Sequence, residues 1–534
     1  MLKSARQVAI AIAIALGGSV DADSLAAQST AGVSRQPARF ADPERLAKLS
    51  PAFADIDRLF TDFIRAQHIP GAAWGIIVDG RLVHVGVTGF RDIIAKSPVD
   101  SNSVFRIASM TKSFTAMAIL KLRDEGKLSL DDPVERYIPE LRQLAYPTSD
   151  SPRITIRHLL SHSEGFPEDN PWGDQQLAVT DEEMSALMRS GIPFSNAPGV
   201  AYEYSNYGFA ILGRVVTRVS GTPYRQYVST HILQPLGMRS TTLEPTSVPR
   251  SRLALGYRWE DEQWKLEPQL ADGAFGPMGG MLTSVSDLGA YVGALLGAWP
   301  PRDGAERGPI RRSSLREMQQ VARSIAPSVT RDSGGAVRMS AGGYGYGLRV
   351  ASTCAFSHVV SHSGGLPGFG SQMRWLPEHG VGIIAFGNRT YSGWTRPFDD
   401  ALNALSRTGA LHPRMALPSA ALSSAREAVS RLIIRWDAAL ADSVAANNLF
   451  LDRSRERRRA EFEGFRARLG ACRQAGDFDV VENSLRGEWV MPCERGALRV
   501  GITLAPTVPP RVQYLEARPV TLNGEPSRPS TCAL

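Results

Sequence analysis

Two apolar runs, Ala73 to Val78 and Leu82 to Val87, flank Asp79-Gly80, and this stretch constrains the fold more than any other. Asp-Gly between such runs is a strong signal for a two-residue β-hairpin. Just upstream, Leu46, Leu49, Phe53, Ile56, Leu59, Phe60 and Phe63 recur near a 3.6-residue period and predict a helix over residues 43–67. Further strand-like runs lie far downstream, at Ser357–Ser361, Ser371–Leu376 and Val381–Phe386, with a helix at about 395–407 after them. Between these ends the pattern is mostly helical, as in Asp181–Arg189, Tyr207–Ser220 and Ser284–Leu296. Residues 299–312 and 331–347 are rich in Gly, Pro and Arg and read as surface loops. The order predicts an α/β (α+β) fold: an antiparallel sheet completed by both ends of the domain and flanked by helices, beside an all-helical domain.

At 534 residues the chain is too long for one small domain. Lys3 and Arg6 precede a short apolar run, Val8 to Leu16, and small residues follow, which reads as a secretory signal peptide over 1–27. The run is too short to span a bilayer, so no integral membrane anchor is expected. Residues 28–42 read as a disordered leader, 43–412 as the main domain, and 420–534 as a small α+β domain after the Pro413–Pro418 composition shift. The last part has a helical region at about 422–470, with Val429, Leu432, Ile433 and Trp436 on its buried face. Strand-like runs follow at Glu488–Cys493, Ala497–Leu504 and Val512–Ala517. Export to the periplasm or the medium permits disulfides. The four cysteines allow three full pairings, and Cys472 and Cys493, in one segment, are the first candidates for a bridge. No Cys/His cluster suggests a metal, and no cofactor is expected. The net charge of +7 is spread along the chain without a nucleic-acid module. The one dense run, Arg453 to Arg459, reads as a solvated helix face.

Three short motifs carry chemistry. In FRIASMTKSFTAMAILKL, Phe105 and Ile107 look extended, and Thr111 to Glu125 look like an amphipathic helix burying Phe114, Ala118 and Leu122. Gly126 is placed to end that helix. Ser109 then lies at the helix start, with Lys112 three residues on and on the same face. A serine hydroxyl needs a base, and a lysine serves only if burial lowers its pKa. The bland alternative is an N-cap serine and a surface lysine. Tyr204-Ser205-Asn206 offers a phenol proton shuttle and an amide for a substrate carbonyl, or else a core aromatic and an N-cap. Ser361-His362-Ser363-Gly364-Gly365 ends a strand-like run, where glycine lets a substrate backbone approach. His84-Val85-Gly86 has the same His-x-Gly form but falls inside the hairpin, so His84 reads as a strand histidine.

Ser-x-x-Lys at 109, Tyr-x-Asn at 204 and His-x-Gly at 362, in that order, resemble the three motifs of the serine β-lactamase and penicillin-binding-protein superfamily. The tyrosine in the second motif is similar to the class C β-lactamase and D-amino-acid-peptidase branch. HLLSHSEGFP (158–167), YSNYGFAILGRVV (204–216), GGMLTSVSDLGAYV (279–292) and HSGGLPGF (362–369) extend the resemblance over about 43 to 408. The resemblance implies a β-lactamase/transpeptidase-like fold. It implies that Ser109 is the acylated nucleophile, that Lys112 helps activate it and that Tyr204 is general base and acid. Asn206, His362 and Ser363 would bind substrate, and the backbone N–H groups of Ser109 and Gly365 would form the oxyanion hole.

One departure is visible. The β-lactamases of this branch carry Lys-Thr-Gly where this chain has His-Ser-Gly, so the fixed cation for a β-lactam carboxylate is missing unless His362 is protonated. The expectation is an exported serine hydrolase acting on small-molecule or short-peptide amides and esters: D-amino peptides, small esters or β-lactams. An α/β-hydrolase is disfavoured, because the approaches to Gly-x-Ser-x-Gly at Ser163 and Ser363 carry Ser at the first glycine position. A non-catalytic sensor of penicillin or peptidoglycan fragments on the same fold is the other alternative.

Overall fold

The computed structural model describes residues 37–331, 337–474 and 476–520. The predicted signal peptide, most of the predicted leader and Cys532 lie outside the described residues. The chain divides into two compact units, which among the described residues are 37–415 and 416–520.

In the larger unit a short helix, Arg45–Leu49, precedes helix α1 (Pro51–Ala66) and a hairpin of β1 (Gly71–Val78) and β2 (Arg81–Asp92). Asp79 and Gly80 join the strands with φ of 52° and 78°. Both residues are left-handed, as a type I′ turn demands, so the hairpin is made by the dipeptide that predicted it. The chain then enters the helical insertion through α2 (Thr111–Asp124), α3 (Asn206–Ser220) and α4 (Val285–Gly297). It returns through β3 (Arg323–Arg331), β4 (Val337–Tyr344), β5 (Arg349–Thr353), β6 (Val359–Leu366), β7 (Phe369–Leu376) and β8 (Val381–Gly387), and closes with α5 (Thr395–Arg407).

Among the described residues the sheet has nine strands: Ser97–Pro98, β2, β1, β8, β7, β6, β5, β4 and β3, in spatial order. The seven pairings from β2 to β3 are all antiparallel. β1 pairs with β8 from Ala72↔Gly387 to Val78↔Val381, which joins the two ends of the unit. Both strands are buried throughout, and alternation sends their side chains to two cores. Trp74, Ile76, Ile383 and Ala385 face α1 and α5, where Phe60, Trp394 and Phe398 cluster. Ile77, Ile384 and Phe386 face the helical insertion. A strand covered on both faces reads as a continuous apolar run, which is why GAAWGIIV and VGIIAFG show no polar alternation.

Three expectations change. Residues 331–347 are expected to be a surface loop, but Arg331 ends β3 and 337–344 form β4, the outer antiparallel pair of the sheet. Its residues are largely exposed, and a strand with little to bury lacks the apolar alternation that would have announced it. Helix α2 is buried on every side from Thr111 to Leu120, so it is a central helix rather than an amphipathic one. The third strand-like run starts at Val359 instead of Ser357 and continues through His362 to Leu366, placing the His-x-Gly motif within a strand. His84 does lie in β2, where Nε2 is 2.8 Å from Asp57 Oδ1.

The smaller unit packs α6 (Ala420–Ile434), α7 (Ala438–Val444) and α8 (Arg455–Leu469) with a four-stranded antiparallel meander: β9 (Val480–Asn483), β10 (Arg486–Cys493), β11 (Gly496–Leu504) and β12 (Val512–Val520). Val429, Leu432, Ile433, Phe462, Trp489 and Val500 form its core. Cys472 and Cys493 are joined by a disulfide. The arginine run is not wholly a solvated face: Arg458 is buried and donates to the Leu449 and Leu515 carbonyls. Among the described residues no helix is long and apolar enough to cross a membrane.

Candidate active site

The first motif sits on a forced turn. Strand residues Phe105–Arg106 lead into a single 3₁₀ turn, Ala108–Met110, and α2 follows at once. Ala108 has φ of 48°, a left-handed conformation that is costly for a residue with a Cβ. The turn is held from both sides. Ile107 N–H donates to Met281 O at 2.9 Å, and Thr111 Oγ1 donates to Ala108 O at 2.6 Å. Ser371 Oγ of β7 donates to Ile107 O at 2.9 Å. Gly364 of β6 packs so close that a Cβ there would collide with the Ile107 carbonyl oxygen. The glycine is therefore needed for strand β6 to lie against the turn that presents Ser109.

Lys112 is fully buried, and its Nζ lies 2.6 Å from Asn206 Oδ1, 2.8 Å from Met278 O and 3.1 Å from Ser109 Oγ. Burial pulls its pKa down to about 7, with Asp174 and Asp169 opposing the shift. Asn206 is positioned by the start of α3. Ser205 is the N-cap and accepts from Gly208 N–H at 3.1 Å, while the Asp169 carboxylate accepts from the N–H groups of Asn206 and Tyr207 at 2.7 and 2.8 Å. A carboxylate at a helix N-terminus is favourably placed. Asn206 Nδ2 donates to Asn170 Oδ1 at 2.6 Å, so the amide assigned by sequence to a substrate holds the lysine here.

Tyr204 faces the same lysine, with Nζ 4.8 Å from its ring centroid. Burial pushes its hydroxyl well above the usual phenol range, with Ser109 pulling back as a hydrogen-bond partner. His162 packs on the Tyr204 ring at 4.3 Å between centroids, and its Nδ1 accepts from Ser205 N–H at 3.1 Å. Across the cleft, His362 Nε2 is 2.8 Å from Tyr344 Oη, and its Nδ1 is 2.6 Å from Ser363 O. Burial, with Lys112 adding to it, pushes the His362 pKa down to about 3, so the ring is neutral at ordinary pH. Ser363 is exposed, one residue along the strand. Strand β5 pairs with β6 only from Val359 to Ser361, so among the described residues the outer edge from His362 to Leu366 has no strand neighbour.

The structure thus gathers Ser109, Lys112 and Asn206 by hydrogen bonds, adds Tyr204 through ring contacts, and sets His362, Ser363 and Gly365 along one strand edge. Several further residues had no signal in the sequence. Tyr344 lies in the segment read as a loop. Met278 acts through its backbone carbonyl. Asp169 and Asp174 act on the charge of Lys112, Arg349 acts on Tyr204 and His362, and Tyr391 bonds Asp174, from three separate segments of the chain. Among the described residues no cluster of three His, Cys, Asp or Glu side chains is placed to hold a metal ion.

The family model described as Beta-lactamase matches residues 56–408. This chain belongs to the β-lactamase family. Protein flp of Staphylococcus aureus (strain MW2) is 29% identical over 341 residues, which cover 62% of each chain. Penicillin-binding protein 4* of Bacillus subtilis (strain 168) is 26% identical over 316 residues, covering 56% of this chain and 64% of that protein. The chain therefore spans less than two thirds of the length of these curated relatives. The octameric penicillin-binding protein homologue from Pyrococcus abyssi superposes with a TM-score of 0.56 over 88% of this chain and 90% of its own, at 23% identity. That likeness shows the β-lactamase/transpeptidase-like fold.

Proposed function

We propose that this β-lactamase-family chain is a serine hydrolase that cleaves amides or esters through an acyl-enzyme at Ser109. The coordination of Lys112 carries the reading. A neutral amine has two N–H donors and one lone pair. Asn206 Oδ1 and Met278 O take the two donors, and the lone pair is left for the Ser109 hydroxyl at 3.1 Å. With its pKa near 7, a substantial fraction of Lys112 is neutral at physiological pH. Burial pushes the Tyr204 hydroxyl well above the usual phenol range, which supports Lys112 as the first base in this reading. The Ser109 proton passes to Lys112 Nζ as Oγ attacks the carbonyl carbon, with the N–H groups of Ser109 and Gly365 receiving the oxyanion. The leaving group takes a proton through the Tyr204 hydroxyl, which is recharged from Lys112. Water repeats the sequence to release the acid.

His362 is neutral, so it does not replace the lysine of the Lys-Thr-Gly motif as a cation. Arg349 does. It stands opposite Ser361 where β5 leaves β6, its guanidinium is exposed, and it donates to Tyr202 Oη at 3.2 Å. No carboxylate among the described residues lies within ion-pair distance of it, and its charge reaches Tyr204, His362 and Tyr344. The substrate class is an acyl donor with a carboxylate beyond the scissile bond, such as a peptide ending in a D-amino acid, with β-lactams sharing that feature. The signal-like N-terminus and the Cys472–Cys493 bridge support an exported location.

The test is turnover of p-nitrophenyl acetate, nitrocefin and D-alanyl-D-alanine peptides by the wild type and by Ser109→Ala, with intact-mass detection of the adduct. Loss of turnover by about 10⁴-fold or more in the variant is expected. Unchanged turnover in Ser109→Ala would falsify the reading. Arg349→Ala should weaken the preference for a C-terminal acid over its amide by ~10-fold or more.

A further inference from the structure

Tyr391 lies in the loop after β8 with φ of 50°, a left-handed backbone that glycine or asparagine adopts at far lower cost than an aromatic residue. Its neighbourhood holds it there. Thr390 N–H donates to Tyr257 O at 2.8 Å, Tyr391 N–H donates to Phe369 O at 3.1 Å, and Thr390 Oγ1 accepts from Gly368 N–H at 2.7 Å. What this strained position secures is a side chain that is 45% exposed, so burial of apolar surface does not account for it.

The ring stands against β6, where a Cβ on Gly365 would lie 2.7 Å from Tyr391 Cδ1. The hydroxyl crosses the cleft and donates to Asp174 Oδ2 at 3.0 Å. Asp174 is 3% exposed, and its other oxygen has no hydrogen-bond partner. It belongs to the short turn Gly173–Gln175, which is seated on the second motif: a Cβ on Gly173 would lie 2.7 Å from Asn206 Cβ. The Tyr391–Asp174 bond therefore runs from the Gly365 side of the cleft to the Asn206 side. The opposite end is spanned by the bond from the exposed Arg349 guanidinium to Tyr202 Oη at 3.2 Å, with no carboxylate partner of Arg349 among the described ion pairs.

We infer that Tyr391, latched to Asp174, is a specificity-determining wall that closes the Asn206–Gly365 end of the cleft and restricts the acyl group to a compact one. The inference rests on the acyl-enzyme reading. With a carboxylate held at the Arg349 end, the acyl group points toward Tyr391. An acetyl- or alanyl-sized group fits in front of the ring, while a long acyl chain meets it.

The experiment compares kcat/KM for p-nitrophenyl acetate, butyrate and octanoate in the wild type, Tyr391→Phe and Tyr391→Ala. The alanine variant keeps the backbone cost of a residue with a Cβ and removes the wall; the phenylalanine variant keeps the ring and removes the latch. Wild-type turnover should fall with chain length. Tyr391→Ala should raise the octanoate-to-acetate ratio by ~10-fold or more, with Tyr391→Phe in between. A ratio unchanged in both variants, with only the melting temperature shifted, overturns the proposal. Should the wild type hydrolyse no ester, the acyl-enzyme reading fails separately. Calorimetric titration with acetate and octanoate then decides the wall: octanoate affinity gained in Tyr391→Ala supports it, and equal affinities in both chains overturn it.

Discussion

In the smaller unit, the buried polar side chains serve the fold. Ser419 caps α6 by accepting from Leu422 N–H at 3.1 Å, and the Arg458 guanidinium is tied to two backbone carbonyls. In the larger unit, Ser109, Lys112, Asn206, His162, Glu164, Asp174 and His362 are all buried. His162 Nε2, both Glu164 oxygens and Asp174 Oδ1 lack hydrogen-bond partners there. A buried polar group without a partner costs stability, ~1–3 kcal/mol each from mutational series. The two units place their stability differently. The smaller one has an apolar core, a covalent bridge and only two such unpartnered atoms among the described residues, Trp489 Nε1 and Arg499 Nη1. The larger one tolerates costly groups around α2 and α3, which is where proteins depart from self-consistency for function.

Making the centre of the larger unit apolar should have the largest effect. Lys112→Met should lower kcat/KM by ~10²–10⁴-fold, the range for losing a positioned base. The wild-type pH profile of kcat/KM should rise through an apparent pKa near 7, the value to which burial lowers Lys112. His362, held at about 3, should add no limb near 6.5. Stability should respond as well. The folded-state pKa of Lys112 lies below its ordinary 10.5, so the unfolded chain binds the extra proton between about 7 and 10.5. Wild-type stability therefore rises with pH across that window, and Lys112→Met removes that contribution. Chemical denaturation at pH 7 and at pH 10 checks the slope; an identical slope in both proteins refutes the buried-base assignment.

A smaller effect tests the other side. Replacing Cys472 and Cys493 together by serine frees a loop with a sequence separation of 21. Loop entropy gives a loss of ~3 kcal/mol for that length. Denaturant unfolding should show the transition of the smaller unit moved down, with ester turnover per folded molecule unchanged. Turnover falling in step with that transition would mean that the two units share their stability.

The sequence revealed elements that bury a pattern and residues that form local motifs. Asp79-Gly80 fixed the hairpin because two left-handed residues in succession have few other uses. Ser109 with Lys112, Tyr204 with Asn206, and His362 with Gly365 could be read because each pair is local and the three occur in one order. β3 and β4 could not be read: exposed on much of their surface, they carry Gly, Arg and Ser where a buried strand would carry apolar residues. Asp174 and Tyr391, 217 residues apart, form a contact that exists only after the helical insertion has folded onto the sheet. The state of Lys112 was equally hidden, since it depends on burial by residues far off in the chain, opposed by Asp174 and Asp169, rather than on neighbours in the chain.

The smallest effect concerns Ala108, where the larger unit holds strain in the backbone itself. A left-handed residue with a Cβ costs ~1–2 kcal/mol, and Ala108→Gly removes that cost. The change also deletes a buried methyl, worth ~0.8 kcal/mol. It further loosens the unfolded chain, by ~0.4–1 kcal/mol. These terms nearly cancel, so the melting temperature should move by no more than ~1 kcal/mol implies, a few degrees. Turnover should not cancel in the same way. With alanine, the left-handed turn is fixed by its neighbours and Ser109 has one orientation relative to Lys112. Glycine widens the backbone choices at the residue before the nucleophile, so kcat should fall several-fold while KM stays near its wild-type value. Equal kcat in both proteins, together with a clear gain in stability, would show that the Ala108 conformation is strain without a catalytic return.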